Sequence, residues 1–279
     1  MNIGAHVSFA GGFQNAPTNA QAIGCECFQM FTRSPQGGSA PAITPATVAA
    51  FTAACRSAGQ RAVYVHTPYY INLASAVERI RRGSAAVIRD DLERASLLGA
   101  RAVMTHLGSA KDVTHQQGLA KVITGIGTVL RGYRGTAQLL LEISAGAGSI
   151  IGDRFEEIGS ILSTLPDYRI GVCFDTCHAF ASGYDLRTAF AVRATLGEFD
   201  RTIGLGRLRL VHANDAKREL GSKVDRHEHI GLGQIGRAGF AALLKHPALR
   251  SVDIILETPK DGQEVDDILV MKKLRPTRP

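Results

Sequence analysis

Six apolar runs along this chain end in a side chain that can bind a metal, and the ends recur at nearly even intervals. They close on His66, His106, Glu142, Asp175, His212 and Glu257, spaced between 33 and 45 residues apart. That interval fits one strand, one loop and one helix. The runs are short enough to be buried strands: 62–66 (AVYVH), 102–106 (AVMTH), 138–143 (QLLLEI), 170–175 (IGVCFD), 208–213 (LRLVHA) and 252–257 (VDIILE). Two more of the same kind precede them, 2–8 (NIGAHVS) and 27–32 (CFQMFT). Strands this continuously apolar are covered on both faces, as in a parallel sheet.

Helical spacing fills the gaps at 45–58, 78–98, 114–131, 153–163 and 185–198. Thr44 with Pro45, and Asp185, are the expected caps of the first and last of these. Eight strand–helix units in about 250 residues predict an α/β fold, a closed (β/α)₈ TIM barrel. No composition shift or linker divides the chain, so residues 1–279 are read as one domain. The stretch 34–45 (SPQGGSAPAITP) reads as a flexible loop, and 271–279 as a frayed tail. No apolar run approaches the roughly 20 residues that cross a bilayer. The start lacks the basic-then-apolar layout of a secretion signal, so a cytoplasmic location is expected. The five cysteines have neither zinc-site spacing nor an even count, and they read as small buried thiols.

In a parallel barrel every strand's C-terminal end opens on one mouth, so the six polar ends converge there. One such residue is readily explained as a satisfied core group. Six are not, because burying several carboxylates and imidazoles without compensation is costly. Metal ions are the natural compensation, and a mixed oxygen and nitrogen donor set suits Zn²⁺ or Mn²⁺. Asp175 and His178 add a carboxylate and an imidazole three residues apart. In Asp225-Arg226-His227, residues two apart share a face of an extended segment. Asp225, His227 and His178 are therefore grouped as a further cation site, with Glu228 and His229 alternating away. The net charge of +7 favours a polyanionic partner.

At this level of detail the chain resembles the endonuclease IV family of abasic-site DNA repair nucleases. The resemblance runs from Gly4-Ala5-His6-Val7-Ser8 to Leu256-Glu257-Thr258-Pro259, and is most specific at 171–186 (GVCFDTCHAFASGYDL) and 221–236 (GSKVDRHEHIGLGQIG). It implies a barrel holding three zinc ions, with Mn²⁺ allowed at one. It further implies hydrolysis of the phosphodiester 5′ to an abasic site in double-stranded DNA. The ligands it implies are His66, His106 and Glu142 for the first ion. Glu142, Asp175, His212 and Glu257 hold the second, and His178, Asp225 and His227 the third. Glu142 is then the bridge, and Glu257 or Asp175 the partner of the attacking water. Tyr69 matches the family's wedge aromatic, and Tyr70 replaces an aliphatic one.

The chain departs from the pattern at Leu107, where a Pro is usual, and at Ile143, where an Asn is. Gln36 stands where an Arg that penetrates the base stack is expected, and the chain has no Trp. Tyr69 and Tyr70, with Gln36 third, are the expected fillers of the gap left by an extruded nucleotide. Arg33, Lys111, Lys217, Lys223 and Arg226 are the expected phosphate contacts. A monomer working on nucleoid DNA is expected. Two rival readings are a metal-dependent sugar isomerase or epimerase, and a protein that grips abasic DNA without cutting. The first does not call for a third site or a basic rim. The second has no chemical need for all nine ligands.

Overall fold

The computed structural model describes residues 1–276. Eight strands form a closed parallel barrel: β1 (Ile3–His6), β2 (Cys27–Met30), β3 (Val63–His66), β4 (Ala102–Thr105), β5 (Gln138–Glu142), β6 (Ile170–Asp175), β7 (Leu208–His212) and β8 (Asp253–Leu256). Neighbours in sequence are neighbours in the barrel. The ring closes between β1 and β8, with Ile3 opposite Ile254. Between β1 and β2 the backbones leave no room for a side chain: a Cβ on Gly4 would lie 1.7 Å from the Cys27 carbonyl oxygen.

Nine helices surround the barrel among the described residues: α1 (Asn15–Ala22), α2 (Pro45–Ser57), α3 (Glu78–Leu97), α4 (His115–Leu130), α5 (Phe155–Thr164), α6 (Thr176–Ala181), α7 (Ala189–Thr202), α8 (Gly236–Lys245) and α9 (Glu264–Leu274). None is long and apolar enough to cross a membrane. Their apolar faces pack on the outward side chains of the strands, with Phe155, Phe174 and Phe199 in mutual contact. The inward side chains form a separate inner core: Cys27, Tyr64, Met104, Leu140, Cys173, Leu210 and Ile255 with Ala62 and Ala102. Below it, Tyr64 donates to Asp253 at 2.9 Å, and Asp253 also accepts from the Asn2 backbone at 2.7 Å.

The five helical segments expected from sequence are α2, α3, α4, α5 and α7, the last displaced at its start. Asp185 is not its cap. Leu186 is buried, and Asp185 binds the Arg187 guanidinium at 2.9–3.0 Å. The cap is Thr188, whose hydroxyl accepts from the Ala191 amide. The expectation of a frayed tail also fails over 271–274, which complete α9. Met271 is fully buried, and Arg275 pairs with Glu26 at 3.1 Å, so packing and charge hold the segment down. Residues 277–279 lie outside the described residues. All five cysteines are free, as expected, and four of them are buried.

Candidate metal centre

Side chains two apart on a strand share a face, and this places the polar ring. Tyr64, Met104, Leu140, Cys173, Leu210 and Ile255 point into the barrel and form the inner core. The residue two further on is in turn His66, His106, Glu142, Asp175, His212 and Glu257. The six therefore form the next layer up, at the mouth. The sequence expectation of convergence holds: ligand atoms of His66, His106 and Glu142 lie within 4.8 Å of one another, as do those of Glu142, Asp175, His212 and Glu257.

Glu142 belongs to both groups. It is fully buried, with Oε2 3.0 Å from His66 Nε2 and Oε1 2.8 Å from His212 Nδ1. Asp175 is shared in the same way, falling within 4.8 Å of His178 and His227 in a third group. Asp225 closes that third group. One of its carboxylate oxygens is 3.3 Å from His178 Nε2 and the other 3.2 Å from His227 Nε2. Asp175 and His178 are linked locally, since Asp175 caps α6 by accepting from the His178 amide at 2.8 Å. Asp225 and His227 arrive on the loop after β7. A two-residue antiparallel ladder steadies it, pairing Asp215–Ala216 with His227–Glu228. Asp215 accepts from the amides of Gly231, Gly233 and Ile235, which fixes the loop's return.

Backbone carbonyls orient three of the imidazoles. His66 Nδ1 donates to Thr67 O at 2.6 Å, His178 Nδ1 to Ile143 O at 2.9 Å and His227 Nδ1 to Glu257 O at 2.9 Å. Each leaves Nε2 aimed at the carboxylates. Ile143, standing where the resemblance led us to expect an Asn, supplies its carbonyl and buries its side chain. The carboxylate ring is instead tied by Asn214, which donates to Asp175 at 2.7 Å and accepts from the Glu257 amide at 2.7 Å.

The electrostatics follow from opposite charges packed together. Burial would raise the Glu142 pKa, but His106 and His212 hold it well below the ordinary carboxylate value. Burial likewise opposes ionisation of Glu257 and Asp225, and the facing imidazoles again win and depress both. Burial would lower His178, yet Asp175 and Asp225 push it up to about 10. His227 rises to about 9, Asp225 outweighing the burial that opposes it. His106 and His6 go the other way, because burial dominates there. Protons hold this cluster together in the absence of cations, and cations would take their places.

A metal fits this donor set. His227 Nε2 is buried without a hydrogen bond, although Asp225 and Asp175 oxygens stand 3.2 and 3.9 Å away. His106 Nδ1 is likewise unpartnered. His227 Nε2 facing two carboxylates, and His106 Nε2 standing 3.7 Å from Glu142, are gaps that a cation would satisfy.

Two pockets open on the centre. One is lined by His6, Phe31, His66, Tyr69, Asp225, His227, Glu257 and the cations Arg226 and Lys260. The other lies across Tyr69, with Tyr70, Lys111, His106 and His178. Tyr69 is 67% and Tyr70 44% exposed, and Tyr69 leans edge-on against Phe31 at the mouth. Gln36 is exposed and bonded only to Ser34 within its own loop. Lys111, Lys217, Lys223 and Arg226 are exposed, Lys217 lying 3.7 Å from Glu228.

Arg33 is a correction. It is 7% exposed and its guanidinium pairs with Asp90 and Asp91 of α3, the latter at 3.0 Å, so it faces away from solvent. His229, expected to point away from the site, does so, but into the protein, between Asp267 and Asp261. Sequence reasoning missed His6, Gln29 and Asn214. The first two occupy the mouth layer of β1 and β2, and the same two-residue step beyond Gly4 and Cys27 was the signal.

A closed parallel barrel with clustered imidazoles and carboxylates at its C-terminal mouth defines a TIM barrel with a candidate metal centre. The model of the xylose isomerase-like TIM barrel family matches residues 17–274. The chain belongs to the endonuclease IV family. It is 43% identical over 266 residues to the probable endonuclease 4 of Methanoculleus marisnigri, covering 95% of this chain and 94% of that one. It superimposes on the crystal structure of endonuclease IV from Thermus thermophilus with a TM-score of 0.88 at 36% identity, covering 98% of both chains. A D-tagatose 3-epimerase-like protein shares the fold at a TM-score of 0.73 and 19% identity.

Proposed function

We propose that this protein is a zinc-dependent class II abasic-site endonuclease of DNA repair. It hydrolyses the phosphodiester 5′ to an abasic site in double-stranded DNA, leaving a 3′-hydroxyl and a 5′-deoxyribose phosphate. The observation that carries the reading is the shared carboxylate. Glu142 stands between two donor groups, and a third group adjoins through Asp175. Three cations in one mouth suit a substrate that carries negative charge through the reaction. Three zinc ions, with Mn²⁺ allowed at one site, would be held by the nine residues His66, His106, Glu142, Asp175, His178, His212, Asp225, His227 and Glu257. When bound, such ions neutralise phosphoryl charge and make a water acidic enough to attack near neutral pH.

The chain's own residues do the rest. Glu257 is partly exposed on the pocket whereas Asp175 is fully buried, so Glu257 is the carboxylate that a water can reach. It orients the water and takes its proton as the water oxygen bonds to phosphorus. The bond from phosphorus to the 3′ oxygen breaks, that oxygen leaves with the electron pair and takes a proton from solvent, and Glu257 returns its own proton to solvent. Tyr69 and Tyr70 fill the gap left by the extruded sugar, which an abasic nucleotide vacates at reduced stacking cost. Arg226, Lys111, Lys217 and Lys223 steady the backbone, with Gln36 the third candidate to fill the gap. The enzyme works as a monomer in the cytoplasm, on nucleoid DNA.

The test is a duplex with one tetrahydrofuran abasic analogue, incubated with and without a chelator. Metal-dependent nicking 5′ to the lesion is expected. A gel shift without nicking would favour a binding protein, and neither result would reopen the sugar-enzyme reading.

A further inference from the structure

His66, His178 and His227 each fix their ring by donating to a main-chain carbonyl. His212 has no such carbonyl, because it sits inside the strand ladder with Nδ1 turned to the carboxylates. The distances from Nδ1 are 2.8 Å to Glu142 and 3.3 Å to Glu257. Its Nε2 instead meets the side chain of Gln29, which is fully buried on the opposite wall, at 2.8 Å from Oε1.

The orientation of that amide follows from its other partners. The second terminal atom of Gln29 is 2.6 Å from Glu257 Oε1, and an ionised carboxylate can only accept. The atom facing it must therefore be the amide nitrogen. The same nitrogen is 2.9 Å from His6 Nδ1, which must then accept. The amide oxygen is left for His212, so His212 Nε2 carries the hydrogen and Nδ1 keeps its lone pair for a cation.

We infer that Gln29, braced by His6, is the positioning residue of the second metal site. It selects the metal-binding tautomer of His212 and aims Glu257 with the same amide. Groups that orient ligands in this way typically change metal affinity about 10- to 100-fold when removed. The inference rests on the metal reading of the mouth, and the test separates the two.

The unaltered chain and the variants Gln29→Met and Gln29→Glu are loaded with zinc. Metal content is followed by mass spectrometry against a chelator series, and long-range ¹H–¹⁵N spectra report the histidine tautomers. Gln29→Met is expected to release one ion at chelator activity about 10- to 100-fold lower, keep the others, and lose the defined His212 tautomer. Gln29→Glu keeps an acceptor for His212 but removes the donor to Glu257. It should retain the tautomer and still release one ion early. It also carries the test if the Met variant does not fold. Release curves matching the unaltered chain in both variants, or loss of the tautomer in Gln29→Glu, would overturn the inference. An unaltered chain that takes up no zinc would overturn the metal reading itself, and this inference with it.

Discussion

Replacing Glu142 by Gln keeps shape and removes one charge from the centre of the mouth. The carboxylate touches His66 at 3.0 Å and His212 at 2.8 Å, with His106 and His178 each 3.7 Å away. Two consequences follow. With metal, two donor groups lose their shared ligand, so bound zinc should fall from three ions per chain to one. If that loss removes about 4 kcal/mol of transition-state stabilisation, nicking slows about 10³-fold. Without metal, the variant leaves His66 and His212 facing a neutral amide in a buried site. Breaking a buried pair costs about 3–5 kcal/mol, and the amide oxygen still accepts one bond, so the lower figure applies. For a chain of this size that shift lowers the melting midpoint by about 6–12 °C. The assays are metal content, nicking of the tetrahydrofuran duplex and thermal melting after chelation. A Glu142→Gln protein that holds three ions and nicks within tenfold of the unaltered chain would refute the shared-ligand argument.

Tyr69→Ala removes an exposed ring that packs edge-on against Phe31, and it should leave zinc content unchanged. Affinity for the abasic duplex should fall about 10- to 100-fold by gel shift, the worth of one lost stacking partner. Arg33→Ala strands Asp91 as a buried charge, so unfolding in denaturant should lose about 3 kcal/mol while the salt dependence of DNA binding stays unchanged. A fall of one unit in that slope would instead put Arg33 on the phosphates. Glu26 is partly buried, which opposes ionisation, but Arg275 and the Ile3 amide outweigh that and hold it below its ordinary 4.5. Its stabilisation is therefore present above about pH 4.5 and is lost as pH falls through the lower folded value. Glu26→Gln should reduce stability at pH 7 and flatten the acid limb of a stability-against-pH curve.

The barrel was legible because each strand is a compact apolar run and six of the nine candidate ligands end one. Local pattern and global placement agree there, with Tyr64 inside and His66 two residues above it. Helices without a clear polar face were not legible. In α6 all six residues are buried, and α1 is short with few apolar residues. Arg33 was misread because its partners lie 57 and 58 residues ahead, and a loop arginine looks alike whether it meets a phosphate or a buried aspartate. Gln29 was passed over since a lone amide in an apolar strand carries no chemistry until its neighbours are known. Asp185 resembled a cap, but its carboxylate is taken up by Arg187 and the helix starts at Ala189 behind Thr188.

Six of the nine candidate donors sit on barrel strands or one residue beyond them, and His178 lies in α6 directly after β6. Asp225 and His227 ride the connection between β7 and α8, and the Asp225 side chain is about half exposed at 52%. If the mouth holds three cations, the first two sites are built from barrel strands, whereas the third is completed by a carboxylate that solvent reaches. The order of exchange follows. An ion held beside Asp225 is then expected to be the first lost to a mild chelator, which a stepwise metal-release curve would record.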